Sequence, residues 1–154
     1  MADIFGVIAS IGVLASLLIA AWQTRELTRQ TKINNGLAGA TATYNGLERL
    51  HYVDGFIATD PSLYDYFYGG ASIPQDREQR ARVLALVNIL ADSIDYGLMT
   101  TAVTPVVLGY EGWREFALVM RRDCPALVHV VRENPGFYPA LVAHWDANPE
   151  SAAL

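Results

Sequence analysis

Asp92 and Asp95 stand one helical turn apart, the spacing at which two carboxylates share a face and divide the work of acid and base. On a helix they fall opposite the apolar stripe Val83, Leu86, Val87, Leu90, Ile94 and Leu98. If that stripe is the core face, both carboxylates are solvated. Acid–base chemistry would need a second helix to cover them and raise one pKa. Cys124 with His129 is the other pair with reactive potential, a thiol and its base. Five residues across a helix start place them on different sides, so Cys124 reads as a small half-buried residue before a proline. His51, His129 and His144 form no H-x-x-x-H or H-E-x-x-H pattern, and a metal site is not expected. His51 lies on an apolar stripe and reads as a core or interface histidine. Gly69-Gly70 lacks the Lys-Ser/Thr partner of a phosphate loop and reads as a turn. Arg121-Arg122 either meets lipid headgroups or an acidic partner, or complements its own helix dipole. No catalytic, cofactor-binding or metal-binding residue is assigned on this basis.

The elements carrying these residues read as helices throughout. Thr59-Asp60-Pro61 is a helix start, with Asp60 as cap and Pro61 in the first turn. SLYDYFY follows, with Tyr64, Phe67 and Tyr68 on one side, ended by Gly69-Gly70. Ser72-Ile73-Pro74-Gln75 fits a capping box that opens a helix from about Gln75 to Thr101. Thr104-Pro105 breaks the pattern, and Val106 to Tyr110 is a connection. Trp113, Phe116, Ala117 and Met120 recur at helical spacing. Asp123-Cys124-Pro125 restarts the chain, with Asp123 or Cys124 as cap. Ala126 to Arg132 is a short helix, Asn134-Pro135-Gly136 a turn, and Tyr138 to Trp145 a last helix. Nothing reads as a β-hairpin, so the expected fold is all-α: one N-terminal transmembrane helix followed by a small helical bundle.

The strongest single signal lies at the start. Ile4 to Trp22 reads IFGVIASIGVLASLLIAAW, and no charge falls between Asp3 and Arg25. Such a helix is roughly 28 Å long, close to the hydrocarbon thickness of a bilayer. A cleaved signal would carry a basic leader, whereas Met1, Ala2 and Asp3 precede the run, and helix-forming sequence continues after Trp22. An uncleaved anchor is expected. Arg25, Arg29 and Lys32 follow it, so the positive-inside rule puts the N-terminus outside and the C-terminal domain in the cytoplasm. The single cysteine agrees with a reducing compartment. Gly6 and Ser10, then Gly12, Ser16 and Ala20, repeat every four residues, a spacing that lets two helices approach closely in lipid.

Beyond the anchor, Ile33, Leu37, Ala40, Tyr44, Leu47 and His51 mark one face of a helix at near-heptad period. This stripe either packs on the domain's own core or forms a seam with a second copy. A bend or break is expected near Asn34-Asn35-Gly36. The division that results is anchor 1–22, juxtamembrane stalk 23–53 and compact domain 54–154.

The formal net charge of −5 and the lack of any basic stripe larger than Arg121-Arg122 argue against nucleic acid. WQTRELTRQTK after the anchor, DPSLYDYFYGG, RARVLALVNILADSIDYG, and the Trp113 segment with CPAL and NPGFYPAL together resemble a group of small bacterial single-pass membrane proteins with a helical cytoplasmic domain. The group carries no established activity, so the resemblance implies architecture and a bacterial inner-membrane location only. The expected function is a membrane-anchored, non-enzymatic interaction module, such as an accessory subunit or assembly factor of a larger membrane complex. The alternatives are a self-assembling membrane-bound sensor or effector and a small membrane-associated hydrolase. Expected partners are the membrane and other membrane-protein subunits, or a second copy. Expected contact residues outside the small-residue stripe are Trp22, Ile33, Leu37, Tyr44, Tyr64, Tyr66 and Trp113, because aromatic and apolar side chains favour interfaces.

Overall fold

The computed structural model describes residues 2–103 and 111–149. Thr104 to Tyr110, the expected break and connection, lie outside the described residues. Every regular element among the described residues is helical, so the fold is all-α. Helix α1 spans Ala2–Thr59 and α2 Tyr64–Phe67; α3 spans Arg77–Val103, α4 Gly112–Asp123, α5 Pro125–Glu133 and α6 Pro139–Asp146. Single 3-10 turns sit at Pro61–Leu63 and Pro135–Phe137.

The contacts divide the chain into two units after Ala38. Residues 39–53, assigned above to a stalk, therefore belong to the C-terminal unit. The expected break at Asn34-Asn35-Gly36 is absent, and α1 is helical through these residues. Asn and Gly each cost a helix about 1 kcal/mol or less, and no proline blocks the backbone ladder, so propagation carries through.

The N-terminal unit is helix alone. Its described large apolar side chains, Ile4 and those from Val7 to Trp22, are exposed. The Ser10 and Ser16 hydroxyls donate to the carbonyls of Gly6 and Gly12 at 2.8 and 2.9 Å. Thr24, Thr28 and Thr31 do the same one turn back, at 2.9 Å each. The hydroxyls of this stretch are thus satisfied within the helix itself.

In the C-terminal unit α3 is the central element, touching α4, α5 and α6. Its stripe of Val83, Leu86, Val87, Leu90, Ile94 and Leu98 is buried as the spacing predicts. The buried hydroxyls of Ser93, Thr100 and Thr101 cost nothing unsatisfied, because each donates to the carbonyl four residues back. The start of α3 differs from expectation. The helix begins at Arg77, capped by Asp76, whose carboxylate accepts from the Gln79 N–H at 2.9 Å. Asp76-x-x-Gln79 offers the same pattern as Ser72-x-x-Gln75 four residues later. The earlier box is not used, because Pro74 is buried and Ile73 packs against the core.

Other local signals hold. Asp60 caps the turn at Pro61, accepting from Ser62 N–H at 3.2 Å, and its other oxygen meets Arg82 at 2.6 Å. Gly70 ends the α2 segment with φ +72°, a conformation that favours glycine, and its N–H donates to the Asp123 carbonyl at the end of α4. Proline stands in the first turn of both α5 and α6.

The stripe expected on α1 is displaced. The side that packs in the C-terminal unit carries Gly39, Gly46, Val53 and Ile57, all buried, with Thr43 and Leu50 half-buried. It lies one residue before the expected stripe, about 100° around the helix. Ile33, Leu37 and Tyr44 stay exposed. His51 is exposed too, and is not a core histidine.

Candidate functional site

Trp113 explains the rotated face of α1. Its indole is 3% exposed and lies against two glycines. A Cβ on Gly97 of α3 would come 2.2 Å from Trp113 Cδ2, and one on Gly46 of α1 would come 3.0 Å from Cζ2. Gly46 and Gly97 thus form a notch that the ring fills, and Phe116 meets its edge with centroids 6.4 Å apart. Trp113, expected above at an interface, is a core residue. Tyr66 is half-buried against the core, whereas Tyr64 is 54% exposed and Tyr44 69%.

The carboxylate pair is partly covered, as acid–base chemistry would require, but its purpose is visible in the bonds. Asp95 Oδ1 accepts from the Leu141 N–H at 2.8 Å, so the carboxylate caps the N-terminus of α6. Burial pushes its pKa up, and the N–H groups of Leu141 and Ala140 oppose that. Asp92 is exposed beside it. One turn before Asp92, Asn88 Oδ1 accepts from the Tyr138 hydroxyl at 2.9 Å. The polar side of α3 is a landing strip for α6, and Asp95 is committed to the Leu141 N–H.

Cys124 and His129 are separated by environment. The Cys124 side chain is fully buried, and burial raises its thiol pKa to about 11, the opposite of an activated nucleophile. His129 lines an open groove on α5. His144 Nε2 sits 3.0 Å from the Arg114 carbonyl. Among the described residues no group of three or more His, Cys, Asp or Glu side chains is placed to hold a metal.

Arg121 and Arg122 part company. Arg122 pairs with its neighbour Asp123 at 2.7 Å. Arg121 reaches the carbonyls of Trp145 and Asn148 at 2.9 and 3.2 Å, and its guanidinium lies 5.5 Å from the Trp145 ring centroid. It therefore serves the C-terminal end of α6 rather than its own helix, which the sequence reading did not foresee. The Trp145 indole N–H donates inward to the Ala117 carbonyl at 3.0 Å. Two adjoining grooves, of about 600 and 280 Å³, share Arg121, Val128 and Arg132 as lining. No spacing rule marked this surface, because its residues come from α4, α5 and α6.

In the N-terminal unit, Gly6, Ser10, Gly12, Ser16 and Ala20 are all exposed, and a Cβ added to Gly6 or Gly12 would meet nothing within 4 Å. The stripe is exposed along the helix. After it, Trp22, Arg25, Arg29 and Lys32 follow at spacings of three, four and three, which puts them on one side of α1. With Glu26 and Thr28 they line a groove of about 420 Å³. Arg29 forms a forked pair with Glu26, the shorter contact at 3.0 Å.

No protein-family model, curated protein or solved structure matches the chain.

Proposed function

We propose that this protein is a membrane-anchored interaction module, with the N-terminal part of α1 as a single span and the C-terminal unit as the domain it holds at the surface. The observation that carries the reading is the exposure of the whole apolar run: from Ile4 to Trp22 no described side chain is buried against the protein. About nineteen apolar residues left in water would be prohibitive, and a bilayer supplies the missing partner. The basic residues after the run support a cytoplasmic C-terminal unit. Tethering such a domain raises its effective concentration towards other membrane proteins, which suits an accessory subunit or assembly factor.

Purification of the full-length protein from native membranes in mild detergent, followed by mass spectrometry and native mass determination, tests this. A stoichiometric foreign subunit is the expected result. A second reading, self-assembly, is favoured by the exposure of Ile33, Leu37 and Tyr44, residues too apolar to be typical of a solvated face. A homo-oligomer without any foreign subunit would support it, and a bare monomer would count against both readings.

A further inference from the structure

Arg25, Arg29 and Lys32 occupy the first three turns after the apolar run, on the side of α1 that also carries Trp22. Arg25 to Lys32 covers about 10 Å along the helix axis, the depth of a headgroup layer rather than of hydrocarbon. Trp22 is 67% exposed at the near edge, where an indole settles among headgroups. One carboxylate opposes the three cations, and it is taken by Arg29. Arg25 and Lys32 form no ion pair among the described residues. Thr24 and Thr28 donate their hydroxyls to the helix backbone and leave the cationic side chains as the free donors of this face. The groove they line is open, polar at its far end and aromatic at its near end.

We propose that this face is a binding site for the phosphate of an anionic phospholipid headgroup, with Arg25 and Lys32 as the first contacts and Trp22 against the acyl–glycerol boundary. The proposal rests on the anchor reading and deepens it. Charge complementarity selects the ligand class: two uncommitted cations, seven residues apart and flanking a third, suit a monoanionic headgroup better than a zwitterionic one. Glu26 acts as a brake, holding Arg29 away from the lipid until a stronger anion competes.

The full-length protein is reconstituted into nanodiscs of phosphatidylcholine and into nanodiscs of phosphatidylcholine with phosphatidylglycerol in equal amounts. Lipids retained after gentle release are counted by native mass spectrometry. A ratio of retained phosphatidylglycerol to phosphatidylcholine above the bulk ratio is expected, falling about fivefold in each of Arg25→Gln and Lys32→Gln and furthest in the triple variant with Arg29→Gln. Glu26→Gln is expected to raise the enrichment, an effect that loss of folding could not mimic. Retention in the bulk ratio, or enrichment that survives the triple variant, overturns the site while leaving the anchor intact. Failure of the protein to enter discs of phosphatidylcholine alone overturns both.

Discussion

Among the described residues, the N-terminal part of α1 and a window within α3 are each long and apolar enough to cross a bilayer. They meet different ends. None of the α1 window is buried within the protein, whereas just over half of the α3 window is. The contrast lies in how polar groups are distributed around each axis. On α3 the apolar side chains form one stripe, and the opposite side carries Asn88 and Asp95, which receive Tyr138 and the start of α6, with Asp92 exposed between them. On α1 the apolar residues from Ile4 to Ile19 surround the axis, and the few hydroxyls fold back onto their own backbone. Both helices are apolar, and the angular placement of polar groups separates the one that packs in the protein from the one left exposed.

A lysine placed in each helix should break this comparison most severely. Ile94→Lys buries an unpaired ammonium in the centre of the C-terminal unit, and we expect loss of cooperative unfolding by circular dichroism. Leu17→Lys should leave that transition unchanged while costing membrane insertion about 3 kcal/mol, read as release from membranes by alkaline carbonate. Equal damage to the domain from both would erase the distinction.

The glycines give a sharper test. Gly97→Ala puts a methyl where Trp113 lies, and we expect a loss of about 2–3 kcal/mol in urea unfolding. Gly46→Ala, with 3.0 Å available, should cost less. Gly12→Ala meets open space and should leave unfolding within about 0.5 kcal/mol.

Within α1 itself, the packed and open sides should separate. Val53→Ala is expected to cost about 1–2 kcal/mol, while Leu37→Ala and Tyr44→Ala should each fall within about 0.5 kcal/mol of the parent monomer. A larger cost for Tyr44→Ala at high protein concentration only would reveal the self-assembly seam.

A more modest loss than those in the core concerns Asp95. Asp95→Ala removes the cap of α6 and should cost about 1 kcal/mol, whereas Asp95→Asn keeps an acceptor and should cost less. Because burial raises the Asp95 pKa, its ionisation opposes folding. The stability associated with the protonated form is present below about pH 4 and lost as pH rises through the folded-state value. Asp95→Asn should remove that part of the decline, visible in the pH dependence of Tm.

Local signals made much of this architecture readable. The α3 stripe, the Asp60-Pro61 cap and the prolines opening α5 and α6 each depend on residues within a turn or two of one another, and each stands where its spacing puts it. Most of the misses involve a partner from elsewhere in the chain. Nothing in the stretch around Gly46 marks it as the space that Trp113 occupies. Trp113 reads as a surface aromatic until that notch is known. Asp95 reads as solvated because nothing near it in sequence announces that α6 will land there, and Arg121 reads as serving its own helix because Trp145 is far along the chain. Ser72 and Asp76 carry equivalent capping patterns, and the structure uses Asp76.

Cys124 is the single cysteine of the chain, fully buried, with its thiol kept protonated at neutral pH. To a maleimide reagent the folded protein is therefore blank. A cysteine introduced at any exposed position becomes the one reactive handle, with no need to engineer the native residue away. Paired membrane-permeant and impermeant labels on Asp3→Cys, before the apolar run, and on Gln30→Cys and Glu133→Cys, after it, would then read the orientation of the chain in intact cells.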